Sequence, residues 1–248
     1  YVIGGTSSNP IFGTGTPQSR EVVIANNVCR NNGSYGIVYQ GENGSVTGNQ
    51  CESNSRSVTY AGGILFNGSS SICANNTTRD NKTYGIDAGG AFYSVIANNQ
   101  CMYEGVQDNT SATYINIGAS VSCIVTGNLV QMGGTQQHGG IAYTGIDGDG
   151  VTPFPTIGAL SKITGNLIMC NSNSQTGGIY LGRMVQQATV MGNQITSAPD
   201  VNRAILNEGT NCIIKDNTVS ASAYSGTLIP SAASAATMVI PDWVETLY

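Results

Sequence analysis

Charge is what this chain has least of. Only 9% of its 248 residues are Asp, Glu, Lys or Arg, against about 25% in an average soluble domain. The net charge is −5, so the basic surface that neutralises a phosphate backbone is missing and nucleic acid is excluded as a partner. No run of about 20 apolar residues occurs, which excludes a membrane-spanning helix and with it membrane insertion. No basic and apolar leader is visible, and the chain opens at Tyr1 rather than Met, so the expectation is a processed or excised piece. Histidine occurs once, at His138, and none of the seven cysteines lies in a CxxC pair. Zinc and thioredoxin-like chemistry are therefore not indicated, and no metal or cofactor is expected. Disorder is excluded as well, because it combines low hydrophobicity with high charge, whereas this chain is 40% hydrophobic.

What is there is a repeat. Eight segments align on an asparagine: VVIANNVC, GSVTGNQC, SICANNTT, SVIANNQC, CIVTGNLV, SKITGNLI, ATVMGNQI and CIIKDNTV. The shared residues are Asn27, Asn49, Asn76, Asn99, Asn128, Asn166, Asn193 and Asn217. Three positions before each stand Ile24, Val46, Cys73, Ile96, Val125, Ile163, Val190 and Ile214; two positions after stand Cys29, Cys51, Thr78, Cys101, Val130, Ile168, Ile195 and Val219. The residues between alternate toward polar or small types, the period-2 sign of strands with one buried face. A further strand begins Gly-Ile in most repeats, at Ile37, Ile64, Ile86, Ile141 and Ile179, with Ile115 and Ile205 matching without the glycine.

These features predict an all-β fold, a right-handed parallel β-helix of about eight turns. Asparagine suits a corner because it tolerates left-handed backbone. Stacked at the roughly 4.8 Å spacing of neighbouring strands, the side-chain amides are expected to bond to one another along the column. Leucine-rich repeats share a 20–29-residue period and an Asn, but they need a regular Leu frame and this chain has eight Leu. A β-propeller needs four strands in each 40–45 residues, more than these repeats hold. Residues 1–20 read as a lead-in or cap, 21–220 as the β-helix, and 221–248 as a small-residue linker and the start of a C-terminal β-domain. The cysteines fill slots occupied elsewhere by Val, Ile, Ser or Ala, so they are expected to be reduced, buried packing residues, which suits assembly in a reducing compartment.

The Asn-cornered repeats over roughly residues 20–220 resemble the pectin-lyase-like superfamily of right-handed β-helices. The tail SAASAATMVIPDWVETLY resembles the junction in bacteriophage tail spikes where the helix passes into a C-terminal β-domain. That resemblance implies a virion-attached homotrimer that binds bacterial surface polysaccharide and often cleaves it. The grouped aspartates with Gly-His-Gly of polygalacturonases and the acidic calcium cluster of pectate lyases are not found. The sequence leaves open whether the chain is a polysaccharide depolymerase or a non-enzymatic structural or adhesive filament component.

Glycoside hydrolysis needs two carboxyl groups within about 5–9.5 Å, and few acids stack here. Asp147 and Asp149 lie together in GIDGDG within the longest repeat, where an inserted loop concentrates function. Asp87 follows a Gly-Ile, outward, with Leu65 and Asn116 as its column neighbours. These three are the candidate catalytic residues. Sugars are gripped by aromatic faces, which makes Tyr180, Tyr84 and Trp243 the candidate carbohydrate-binding residues. Arg30, Glu52 and Arg79 share one outward column and read as a surface charge ladder. On the strand before each Asn, the outward positions Val23 and Ala25, Ile72 and Ala74, Val95 and Ala97, and Ile124 and Thr126 are aliphatic or small. Such a stripe on an outer face marks an interaction surface; the expected occupant is a second and third copy of the chain, and the rival is a loop folded over it, residues 1–20.

Overall fold

Each repeat carries three short apolar strands, and one strand cannot bury its inward face alone. Stacking repeat on repeat closes that face into a continuous core. The computed structural model describes residues 2–3, 19–57, 61–105, 112–133, 137–144, 158–170, 177–197, 204–221 and 238–239. Their strands form three large parallel sheets, a parallel β-solenoid, with a separate two-stranded parallel pair of Gly158–Ala159 and Val185–Gln186. The first sheet holds the strands that precede the column asparagines, from Val23–Ala25 to Ile213–Lys215. The second holds the eight strands that follow them, from Val28–Arg30 to Thr218–Ala221. The third holds the Gly-Ile strands, from Ile37–Glu42 to Ile205–Asn207. Val2–Ile3 and Ser19–Arg20 pair with the first strand of the third sheet, and Met238–Val239 adds a ninth strand to the first sheet. Among the described residues no helix is long and apolar enough to cross a membrane.

The predicted asparagine column is present. From Asn27 to Asn217, each Oδ1 beyond the first accepts both the backbone N–H and the side-chain Nδ2–H of the asparagine one coil earlier, at 2.9–3.1 Å. Each Nδ2 from Asn49 onward also donates to a first-sheet carbonyl of the preceding coil, as Asn99 does to Cys73 at 3.0 Å. Seven of the eight side chains are buried, and a buried amide without partners costs about 1–3 kcal/mol for each orphaned group.

The left-handed backbone sits elsewhere than expected. It falls on the residue before each column asparagine: Asn26, Gly48, Asn75, Asn98, Gly127, Gly165, Gly192 and Asp216, with φ between 54° and 67°. The reason is a division of labour at the corner. The left-handed residue turns the chain with its own side chain outside, and the next residue can then aim its amide inward along the column. The device recurs every five positions, at Glu21, Asn26 and Asn31, then Asn43, Gly48 and Ser53, then Ser70, Asn75 and Asp80, then Tyr93, Asn98 and Tyr103. Five-residue spacing explains why the first- and second-sheet strands are mostly three residues long.

The core is the set of columns read from the repeat. Ile24, Val46, Cys73, Ile96, Val125, Ile163, Val190 and Ile214 line the first sheet; Ile37, Ile64, Ile86, Ile115, Ile141, Ile179 and Ile205 line the third. Each buried Ile contributes about 1.5–3 kcal/mol of apolar transfer. Tyr39 and Phe66 stack one coil apart with ring centroids 5.5 Å apart, and the Tyr39 hydroxyl bonds Ser71 at 3.0 Å. All seven cysteines are free thiols, six buried and Cys29 partly exposed.

Candidate functional site

A second, shorter ladder runs five residues behind the first. Asn32 donates to Asn54, and Asn54 to Asn81, through both backbone N–H and Nδ2–H at 2.7–3.2 Å. In the first coils this ladder gives the Gly-Ile signature its cause. A Cβ on Gly36 would lie 2.9 Å from Asn54 Nδ2, and one on Gly63 2.9 Å from Asn81 Nδ2. The ladder ends on Glu104, whose Oε2 accepts from the Asn81 backbone at 2.6 Å and from its Nδ2 at 3.1 Å. Burial pushes the Glu104 carboxyl up to about 8, against the opposing pull of the Asn81 donors. At the next coil Tyr114 replaces the glycine and its hydroxyl accepts from the Gly133 N–H at 2.9 Å.

With the interior filled, chemistry is left to the outer faces, and the third sheet carries the most. Strand register aligns Val38, Leu65, Asp87, Asn116, Ala142, Tyr180 and Leu206 in one outward column. Asp87 thus stands between Leu65 and Asn116, as its position after Gly-Ile implied. Its Oδ2 accepts from the Tyr35 hydroxyl at 2.8 Å, and its Oδ1 from Asn116 Nδ2 at 2.9 Å and from the Gly89 N–H at 3.3 Å. Desolvation raises the Asp87 pKa above the ordinary carboxylate range, while these three donors oppose the rise. Tyr35 is raised too, by its own burial and then by the Asp87 charge. Tyr84 opens the same strand and adds a smaller contribution to the Tyr35 shift, so the two tyrosines and Asp87 form one cluster.

Three coils further along, roughly 14 Å at 4.8 Å per strand, Tyr180 points outward and is half-buried. Its hydroxyl donates to Glu208 Oε2 at 3.2 Å, and Arg183 Nε lies 3.4 Å from the same oxygen. Burial and the Glu208 charge raise its pKa. Asp87, Tyr84 and Tyr180 therefore share the third sheet. Asp147, Asp149 and Trp243 lie outside the described residues. Arg30 and Glu52 pair on the second sheet at 3.0 Å, with Arg79 in register beside Glu52. Glu104 and the Tyr35–Asp87 bond were not anticipated. The signal for Glu104 was present, because Asn32, Asn54, Asn81 and Glu104 each stand five residues after a column asparagine.

No family model matches the chain, and no curated protein does. Among solved structures it is similar to the A-module of the mannuronan C-5 epimerase AlgE4 of Azotobacter vinelandii, with a TM-score of 0.58 and 13% identity. The match covers 90% of this chain and 58% of that one, so the chain spans little more than half of the module. The likeness is one of fold.

Proposed function

We propose that this chain is a polysaccharide-binding β-solenoid that holds an extended glycan along the outer face of its third sheet. The observation that carries the reading is the Asp87 cluster. A carboxyl and an amide are fixed side by side by Tyr35 and Gly89, in one column with a tyrosine anchored by Glu208. Planar polar groups meet sugar hydroxyls and tyrosine faces meet sugar rings, and a straight column of parallel strands suits a linear polymer. The fold likeness to a protein whose name gives mannuronan as its substrate adds support. Binding is favoured over hydrolysis at this cluster, since the register partners of Asp87 are Leu65 and Asn116 rather than a second carboxylate. Glycan-array and calorimetric binding with purified bacterial surface polysaccharides, polymannuronate among them, tests it. Tyr180→Ala and Asp87→Ala are each expected to weaken binding at least about tenfold, the loss of one good polar or stacking contact. Unchanged affinity in both refutes the site. Release of reducing ends or unsaturated uronates, abolished by Asp147→Asn with Asp149→Asn, would instead place a depolymerase centre in that loop.

The finer reading is a phage tail-spike shaft that assembles as a homotrimer through the first sheet and works outside the cell on the virion. Its support is the stripe foreseen in the sequence: Val23, Ile72 and Ile124 are 66%, 47% and 39% exposed, with Ser45 and Val95 in register between them, a largely apolar line where a solvated sheet face carries polar residues. Sedimentation equilibrium on a chain extended past Tyr248 is expected to give three copies, and a monomer would sink the proposal.

A further inference from the structure

Of the seven thiols, two stand directly one above the other. Cys29 and Cys51 are register partners on neighbouring second-sheet strands, about 4.8 Å apart along the stack. That separation lies within the Cα range of 4.4–6.8 Å that a disulfide spans. Thr78 follows in the column and separates Cys51 from Cys101 by two strands, so in this column only one pair is adjacent. Cys29 differs from the other six in being partly exposed, and its strand neighbours Val28 and Arg30 are exposed.

We propose that Cys29 and Cys51 form a thiol–disulfide exchange site for low-molecular-weight disulfides, with Cys29 the attacking sulfur and Cys51 the resolving one. The site is independent of any glycan bound on the third sheet. The asymmetry has a physical basis. Cys29 is the partly exposed sulfur, which a small disulfide can reach, whereas Cys51 is 1% exposed and is reached only from Cys29. The thiolate is the nucleophile in such exchange. The Cys29 thiolate attacks one sulfur of oxidised glutathione; the glutathione S–S bond breaks and one glutathione thiolate leaves. Cys51 then gives its proton to that thiolate and attacks the Cys29 sulfur, expelling the second glutathione and forming the Cys29–Cys51 bond. Two protein thiols lose two electrons, and one small disulfide becomes two thiols.

The test is titration of the folded, reduced protein with oxidised glutathione, read by intact mass, by thiol count after unfolding, and by peptide mapping. The expected result is loss of two thiols of the seven, a mass lower by two hydrogens, and a cross-linked peptide pair containing Cys29 and Cys51. In Cys51→Ser the reaction is expected to stop with one glutathione on Cys29, and in Cys29→Ser all six remaining thiols are expected to survive. Seven thiols persisting in the unsubstituted protein, a mixed disulfide on Cys29 that never resolves, or a cross-link mapping elsewhere would each overturn the assignment.

Discussion

Among the described residues Glu104 is the only acid inside an amide ladder, and exchanging it for Gln isolates what its proton does. In the folded chain the carboxyl is fully buried and titrates near 8, against 4.5 unperturbed. Asn81 donates to it twice, the Asp80 charge pushes it up, and Cys51, Cys101 and Tyr114 lie close enough to feel its charge. Between pH 4.5 and 8 the folded chain therefore holds one proton that the unfolded chain has released. Stability must fall as pH rises across that window, by roughly 1.4 kcal/mol per unit. The fall amounts to about 4 kcal/mol between pH 5 and pH 8, with the full contribution present below the unfolded pKa. In Glu104→Gln the amide oxygen keeps both Asn81 bonds and an N–H takes the place of the acid proton, while the titration is gone. Urea unfolding of both proteins at pH 5, 6, 7 and 8 reads the difference. The two are expected to be nearly equal at pH 5 and to diverge steadily, with the Gln form more stable at pH 8. Parallel profiles would show that Glu104 is ionised in the fold and that the ladder does not end on a neutral acid.

The long ladder should be least tolerant at its centre. Asn99→Ala orphans the Asn76 N–H and Nδ2 and the Cys73 carbonyl, and is expected to cost about 3 kcal/mol or more, against under about 1 kcal/mol for Asn27→Ala at the exposed end, both measured as shifts in urea midpoint. Gly63→Ala places a Cβ 2.8 Å from the Gly85 carbonyl and 2.9 Å from Asn81 Nδ2; it should destabilise by about 1–3 kcal/mol as an overpacking change. Gly192→Ala meets nothing within 4 Å and should cost only the left-handed backbone, about 1–2 kcal/mol. Tyr35→Phe removes one of the donors that restrain Asp87, so carbon-detected NMR titration should find the Asp87 pKa higher still, and an unchanged value would remove Tyr35 from the cluster.

The parts legible in the sequence are those each coil must repeat. A buried column one strand apart at every turn forces the same residue type into the same slot, so Ile24 to Ile214 and Asn27 to Asn217 could be aligned without coordinates. The left-handed corners were misplaced by one residue because Asn-Asn and Gly-Asn pairs read as a single corner signal. The discriminating fact is that Gly48, Gly127, Gly165 and Gly192 occupy the first position and never the second. Glycine is what an unsupported left-handed residue favours, and the second position needs an amide for the ladder. Glu104 was hidden for another reason: the short ladder links only four side chains, Asn32, Asn54, Asn81 and Glu104, and its last member departs from the type.

The Tyr35–Asp87 bond illustrates what periodicity does not reach. Tyr35 belongs to the first coil and Asp87 to the third, 52 residues apart, so their meeting depends on a side chain lying along the axis across the Leu65 strand. Nothing in either residue's own repeat position encodes that reach. Repeats determine which residues stand in a column; the side chains that leave their own coil determine what the column can bind. On the third sheet those departures are Tyr35 onto Asp87, Asn116 onto Asp87, and Tyr180 onto Glu208. All three fall on one outer face, where a rigid stack of backbone holds each polar group at a distance set by the strand spacing. That combination, a regular scaffold carrying a few aperiodic side-chain bonds, is why we propose the third sheet as the binding face.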